Sequence, residues 1–113
     1  MATLKEVSDN IVAQIYRDYG GASERLRDLI VLGLNEEAGE VAGLRKRQLR
    51  QNYRDVDIDF PKEYMEELGD VLWYLTACCA LFGTSLEEIW EYNQKKLEER
   101  YGHVDSTTIS GII

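Results

Sequence analysis

Three acidic residues, Glu36, Glu37 and Glu40, lie close together in the chain, and a second pair, Glu67 and Asp70, follows further along. Glu37 and Glu40 are three positions apart, so a helix puts them on one face, and the same holds for Glu67 and Asp70. Each pair stands where the surrounding pattern calls for apolar side chains. Leu26, Leu29, Ile30, Gly33, Val41 and Leu44 make up the stripe that Glu37 and Glu40 interrupt. The face of Glu67 and Asp70 continues through Tyr74 into the apolar run from Val71 to Phe82. Buried carboxylates are costly unless they are paired or bind metal. Two like charges 4 Å apart repel by about 4 kcal/mol at an effective dielectric of 20. Four or five converging carboxylates therefore require protonation or a divalent cation, and oxygen-only ligands select a hard one: magnesium, manganese or calcium. The competing reading is a surface helix with a solvated acidic face.

Gly33, Gly39 and Gly43 accompany the first acids and Gly69 sits between Glu67 and Asp70. Glycine inside a helix costs about 1 kcal/mol relative to alanine, so these positions predict close backbone approach or room for a ligand. A third polar set follows: Asn93, Lys96 and Arg100 are spaced i, i+3, i+7 on one helical face. An amide and two cations near an acidic metal site suit a polyphosphate. The plainer alternative is surface pairing with Glu99 or another acid.

Two other metal sites are weighed and set aside. Asp55, Asp57, Asp59 and Glu66 match positions one, three, five and twelve of an EF-hand loop, but Phe60 occupies the position where the turn requires glycine. These aspartates fit better as caps of the following helix or as solvated groups. A ferritin-like di-iron bundle needs Glu-x-x-His motifs. The single histidine, His103, has Arg100 three places before it and reads as a surface residue.

The elements that must position these residues read as four helices. The first runs from about Thr3 to Tyr19, with a Thr3–Glu6 capping box, a stripe of Leu4, Val7, Ile11 and Ile15, and Gly20–Gly21 as its end. The second starts near Ser23 as N-cap and reaches about Gln51. Asn52 to Phe60 read as a loop. Pro61 opens the third helix, which runs to about Phe82 and is closed by Gly83. A second capping box, Ser85 and Glu88, starts the fourth. Its expected inner face is Leu86, Ile89, Trp90, Asn93, Leu97 and Tyr101, and Gly102 ends it. Trp73, Tyr74, Trp90 and Tyr92 are candidates for stacking on a base, although their spacing fits core or interface better.

A chain of 113 residues suits one domain, 1–113, and a charge of −8 argues against binding a nucleic-acid polymer. The start, MATLKEVSDN, is charged and has no apolar core of a signal peptide. The apolar run is shorter than the roughly 20 residues a bilayer requires, so no membrane is expected. Cys78 and Cys79 are adjacent and read as buried free thiols, which fits a reducing cytoplasm.

Three motifs in order carry a family resemblance. Leu34-Asn35-Glu36-Glu37-Ala38-Gly39-Glu40 is an EExxE motif, and Glu67-Leu68-Gly69-Asp70-Val71-Leu72-Trp73-Tyr74-Leu75 an ExxD motif with an apolar continuation. Asn93-Gln94-Lys95-Lys96-Leu97-Glu98-Glu99-Arg100 closes the set. Over about Leu26 to Arg100 the chain resembles the MazG-like nucleotide pyrophosphohydrolases of the all-α NTP pyrophosphatase superfamily. The resemblance implies an all-α, four-helix unit that assembles into a dimer or dimer of dimers. It implies hydrolysis of nucleoside triphosphates to monophosphate and pyrophosphate in nucleotide-pool house-cleaning, with magnesium (or manganese) held by Glu37, Glu40, Glu67 and Asp70. Glu36 becomes a second-metal ligand or, with Glu37, a catalytic carboxylate, while Asn93, Lys96 and Arg100 face the phosphates. The alternatives are a dUTPase-like or phosphoribosyl-ATP pyrophosphatase-like relative, and a non-catalytic helical oligomer that binds nucleotide or metal.

Overall fold

A computed structural model describes residues 1–50 and 60–102. The aspartates Asp55, Asp57 and Asp59, most of the expected loop, His103 and the tail after it lie outside the described residues. The described residues form four helices: α1 (Leu4–Tyr19), α2 (Glu24–Arg50), α3 (Phe60–Leu81) and α4 (Leu86–Tyr101).

Local chemistry sets most of the helix ends. At α1 the Glu6 N–H donates to Thr3 Oγ1 at 3.1 Å and the Thr3 N–H donates to Glu6 Oε1 at 3.3 Å, so the capping box is complete. Gly20, at φ +76°, closes the helix by donating to the Tyr16 carbonyl. Ser23 Oγ accepts from the Leu26 N–H at the start of α2. α3 begins one residue before the expected Pro61, because Phe60 is already helical and buried. Pro61 in the first turn gives up no intrahelical hydrogen bond. The far end of α3 is a Schellman turn, with the Thr84 N–H donating to the Cys79 carbonyl and the Gly83 N–H to that of Ala80. Ser85 caps α4 through the Glu88 N–H, but the Glu88 carboxylate accepts from the Thr84 hydroxyl instead of turning back on Ser85. Only half of the expected second box is formed.

α2 and α3 pack antiparallel and form the body of the protein. Pairings along them run in opposite directions: Arg27 Nε donates to the Leu81 carbonyl at one end, and the Tyr64 hydroxyl donates to Gln48 Oε1 at the other. α1 lies across the end where α2 begins and α3 finishes. Ile11, Ile15, Leu26, Ile30, Ala77 and Leu81 form the core there, with Trp73 and Tyr74 packed against it. Thr76, buried in that region, donates its hydroxyl to the Leu72 carbonyl and so leaves no unmet donor. Leu44 is completely buried further along α2. The acids of α2 therefore lie between two apolar regions.

Two predicted faces are corrected. Leu29, placed in the α2 stripe, is exposed, because the α2 contact with α3 follows Leu26, Ile30 and Gly33 and leaves Leu29 on the flank. On α4, Leu86 is buried and Ile89 and Leu97 are partly covered, whereas Trp90, Asn93 and Tyr101 are exposed. The reason is direction: α4 leaves α3 at 93°, so most of its length departs from the α2–α3 body. Among the described residues, no single helix is long and apolar enough to cross a membrane.

Candidate metal centre

Glu36, Glu37 and Glu40 lie within five consecutive positions of α2, and Glu67 and Asp70 sit on the α3 face that meets it. Each of two sets can bring one carboxylate oxygen per residue within 4.8 Å of the others: Glu36–Glu37–Glu40, and Glu37–Glu67–Asp70. Glu37 belongs to both, so it joins the α2 acids to the α3 acids. The structure thus gathers all five acids singled out from spacing alone.

The surroundings are electrostatically one-sided. Glu37 is held above the ordinary glutamate value of 4.5, first by removal from water, then by a hydrogen bond and charge from Glu40, then by the charges of Asp70 and Glu67. Glu67 is raised too, first by its hydrogen bond with Glu40, then by burial, then by the charges of Glu40, Asp70 and Glu63. A hydrogen bond between two carboxyl groups needs a proton in one of them. Among the described residues, every group that shifts Glu37 or Glu67 is itself acidic. One oxygen of each, Glu37 Oε2 and Glu67 Oε2, is shut off from solvent and has no hydrogen-bond partner among the described residues. A native interior rarely leaves such an oxygen unmatched. Oxygen-only donors, clustered, partly withdrawn from water and lacking a cation of their own, fit a hard divalent ion. A merely solvated acidic face does not account for the two shut-off oxygens.

The glycines divide. A Cβ on Gly33 would run into the Tyr74 ring, with Cδ1 at 2.7 Å, Cζ at 2.9 Å and Cε1 nearer still. Gly39, Gly43 and Gly69 have nothing within 4 Å of the place a Cβ would take, so the expected close approach holds at Gly33 alone. Tyr74 reaches the acids as well: its phenol is raised by burial and then by the charges of Glu37, Tyr19, Glu36 and Asp70. Sequence reasoning noted Gly33 and Tyr74 separately. What it missed was that they meet, and the one available signal was a glycine following Leu26, Leu29 and Ile30 on the stripe, one turn before the acids begin.

The α4 residues stand apart from the acids within the chain. Asn93 lines a groove of about 700 Å³ formed with Leu72, Leu75, Leu86, Ile89 and Trp90. Lys96 is half-buried and Arg100 exposed on the same helix. None of the five acids lines that groove. Of the aromatic candidates, Trp73 and Tyr74 pack on the core and on each other, edge to face at 5.2 Å, while Trp90 and Tyr92 are exposed beside the groove.

Comparison with known proteins gives a consistent result. The family model described as "MazG nucleotide pyrophosphohydrolase domain" matches residues 27–105, which takes in all five acids and the α4 set. An uncharacterized protein, YvdC of Bacillus subtilis (strain 168), is 32% identical over 75 residues, covering 62% of this chain and 71% of that protein. The Gene 37 protein of Mycobacterium phage L5 is 31% identical over 71 residues, covering 63% of this chain and 62% of that protein. No solved structure matches.

Proposed function

This chain belongs to the MazG nucleotide pyrophosphohydrolase family, and from that premise we propose that it hydrolyses nucleoside or deoxynucleoside triphosphates to the monophosphate and pyrophosphate, with magnesium as its cofactor. The observation that carries the proposal is the pair of interlocked carboxylate sets sharing Glu37, with two oxygens shut off from water and unpartnered. Glu37, Glu40, Glu67 and Asp70 would hold the ion, with manganese the other cation the donor set suits. When bound, the ion supplies positive charge where the phosphate oxygens gather negative charge.

The chain's own groups account for the remaining chemistry. Glu36 is exposed at the edge of the cluster and free to face solvent. It orients a water molecule and takes its proton as the water oxygen bonds to the α-phosphorus. The bond from that phosphorus to the bridging oxygen breaks, and pyrophosphate carries the electron pair away. Asn93, Lys96 and Arg100 bind the phosphates. Because α4 leads away from the acids within one protomer, the proposal places a second copy of the chain against this one. Leu68, Leu72 and Trp90 are exposed apolar residues at or near the groove, the kind of surface subunits bury. Dimer and dimer of dimers are both compatible with it. The biological role proposed is cytoplasmic house-cleaning of the nucleotide pool.

The test is product analysis. Purified protein, magnesium and a panel of standard and modified nucleoside triphosphates are incubated and resolved by anion exchange. Equimolar monophosphate and pyrophosphate, abolished by EDTA, is the expected result. Release of inorganic phosphate and the nucleoside diphosphate would place the cut at the wrong bond. Nucleotide binding without any product would favour a non-catalytic binding module.

A further inference from the structure

The Gly33–Tyr74 contact is the rung next to the acids. Gly33 lies one helical turn before Glu37, and Tyr74 one turn after Asp70, on helices that run antiparallel. Moving from this rung toward the acids brings Glu37 together with Asp70 and Glu67, and then Glu40, which clusters with Glu36 and Glu37. The Tyr74 ring occupies the space that a side chain at position 33 would need. The ring is also held from behind. Trp73 packs edge to face on it, and the Trp73 Nε1–H donates to Gln14 Oε1 of α1 at 2.8 Å. Gln14 in turn donates to Asn10 Oδ1 at 2.7 Å. Tyr74 and Trp73 both pack on the core formed by α1, α2 and α3. The ring therefore has little freedom to swing aside.

We propose that the Gly33–Tyr74 rung sets how far apart, and in what register, α2 and α3 hold their carboxylates, which makes Tyr74 a positioning residue for cation binding. It acts through Glu37 and Asp70 and needs no contact with the ion. α1, which lies outside the family-matched range, takes part through Gln14 and Trp73. The inference rests on the cation-binding reading of the acids. It predicts that a methyl group at position 33 spreads the helices one turn from the site and weakens the site without unfolding the protein.

The experiment is a double-mutant cycle read by Mn²⁺ binding, with free Mn²⁺ counted by electron paramagnetic resonance on full-length protein, and no turnover involved. Gly33→Ala is expected to weaken Mn²⁺ binding by about tenfold or more when Tyr74 is present, the scale on which displaced supporting groups act on metal sites. In a Tyr74→Ala background the same change is expected to alter binding by less than about twofold, since the ring it would strike is gone. Thermal melting in EDTA gives a second, independent sign. Alanine is the better helix former, so Gly33→Ala is expected to raise the melting temperature in the Tyr74→Ala background and lower it beside Tyr74. Should Tyr74→Ala fail to fold, Tyr74→Val keeps apolar bulk while removing the Cδ1, Cε1 and Cζ atoms that meet position 33. Equal losses of Mn²⁺ affinity in both backgrounds, or no loss in either, would overturn the inference while leaving the cation reading intact. Failure of the unmodified protein to bind Mn²⁺ would overturn both.

Discussion

Glu40→Gln is the substitution that tests the site most directly. Glu40 clusters with Glu36 and Glu37, its charge acts on Glu67, and it is exposed, so replacing one oxygen by an amide removes charge with almost no change of volume. Altering a group that merely supports a metal ligand costs about 10–100-fold in affinity, and a direct ligand at least as much. At a free magnesium concentration of 100 times the dissociation constant, binding stabilises the folded state by about 2.7 kcal/mol. For 113 residues, the usual unfolding entropy converts 1 kcal/mol into about 4 °C, so the unmodified protein should gain about 11 °C. With affinity reduced 10–100-fold at the same magnesium concentration, the stabilisation falls to about 1.4–0.4 kcal/mol, or about 6–2 °C. Magnesium-dependent thermal shift measures this, and anion-exchange product analysis should show turnover lost. In EDTA, the variant is expected to melt at or above the temperature of the unmodified protein, because one of several crowded carboxylates no longer repels its neighbours. An unchanged magnesium-induced shift would remove Glu40 from the ligand set. A clear fall in the EDTA melting temperature would refute the claim that the acids are mutually repulsive without a cation.

Other outcomes follow from the same geometry. Because Glu37 and Glu67 hold protons more tightly when folded than the ordinary value of 4.5, the metal-free protein binds more protons than the unfolded chain above that value. Its stability is full below it and is lost as pH rises through the raised values. Melting in EDTA from about pH 5 to 8 should therefore decline, and the gap with magnesium present should widen, since the ion displaces those protons; a flat EDTA profile would refute this. Leu44→Ala, at a completely buried position, should cost about 2–5 kcal/mol, a drop of about 8–20 °C in a thermal melt. Lys96→Ala should raise KM for the triphosphate while leaving Mn²⁺ binding without nucleotide unchanged. Light scattering should give two or four times the chain mass of 13.0 kDa, and Leu72→Asp, at an exposed apolar position beside the groove, should shift it toward the monomer.

Much of the protein was legible along the chain because the deciding forces act over three or four residues. Thr3 with Glu6, Gly20, Ser23, Gly83 and Ser85 mark helix ends through hydrogen bonds to nearby backbone groups, and the structure places them there. Glu37 with Glu40, and Glu67 with Asp70, share faces by helical spacing alone. The apolar stripe broken by acids was visible before any fold was known. Tertiary structure decided which acids meet across the two helices, that Glu37 serves both sets, and that Gly33 alone among the four helix-interior glycines admits a ring. It also decided that Leu29 lies outside the contact and that Trp90, Asn93 and Tyr101 are uncovered in the chain by itself. These depend on the register and crossing of α2 and α3 and on the 93° departure of α4. Helical periodicity states which residues share a face but not which face meets a partner, or at what height. Those choices belong to packing between segments distant in sequence, where the Tyr74 ring, Trp73 and the core settle the distance that spacing alone leaves open.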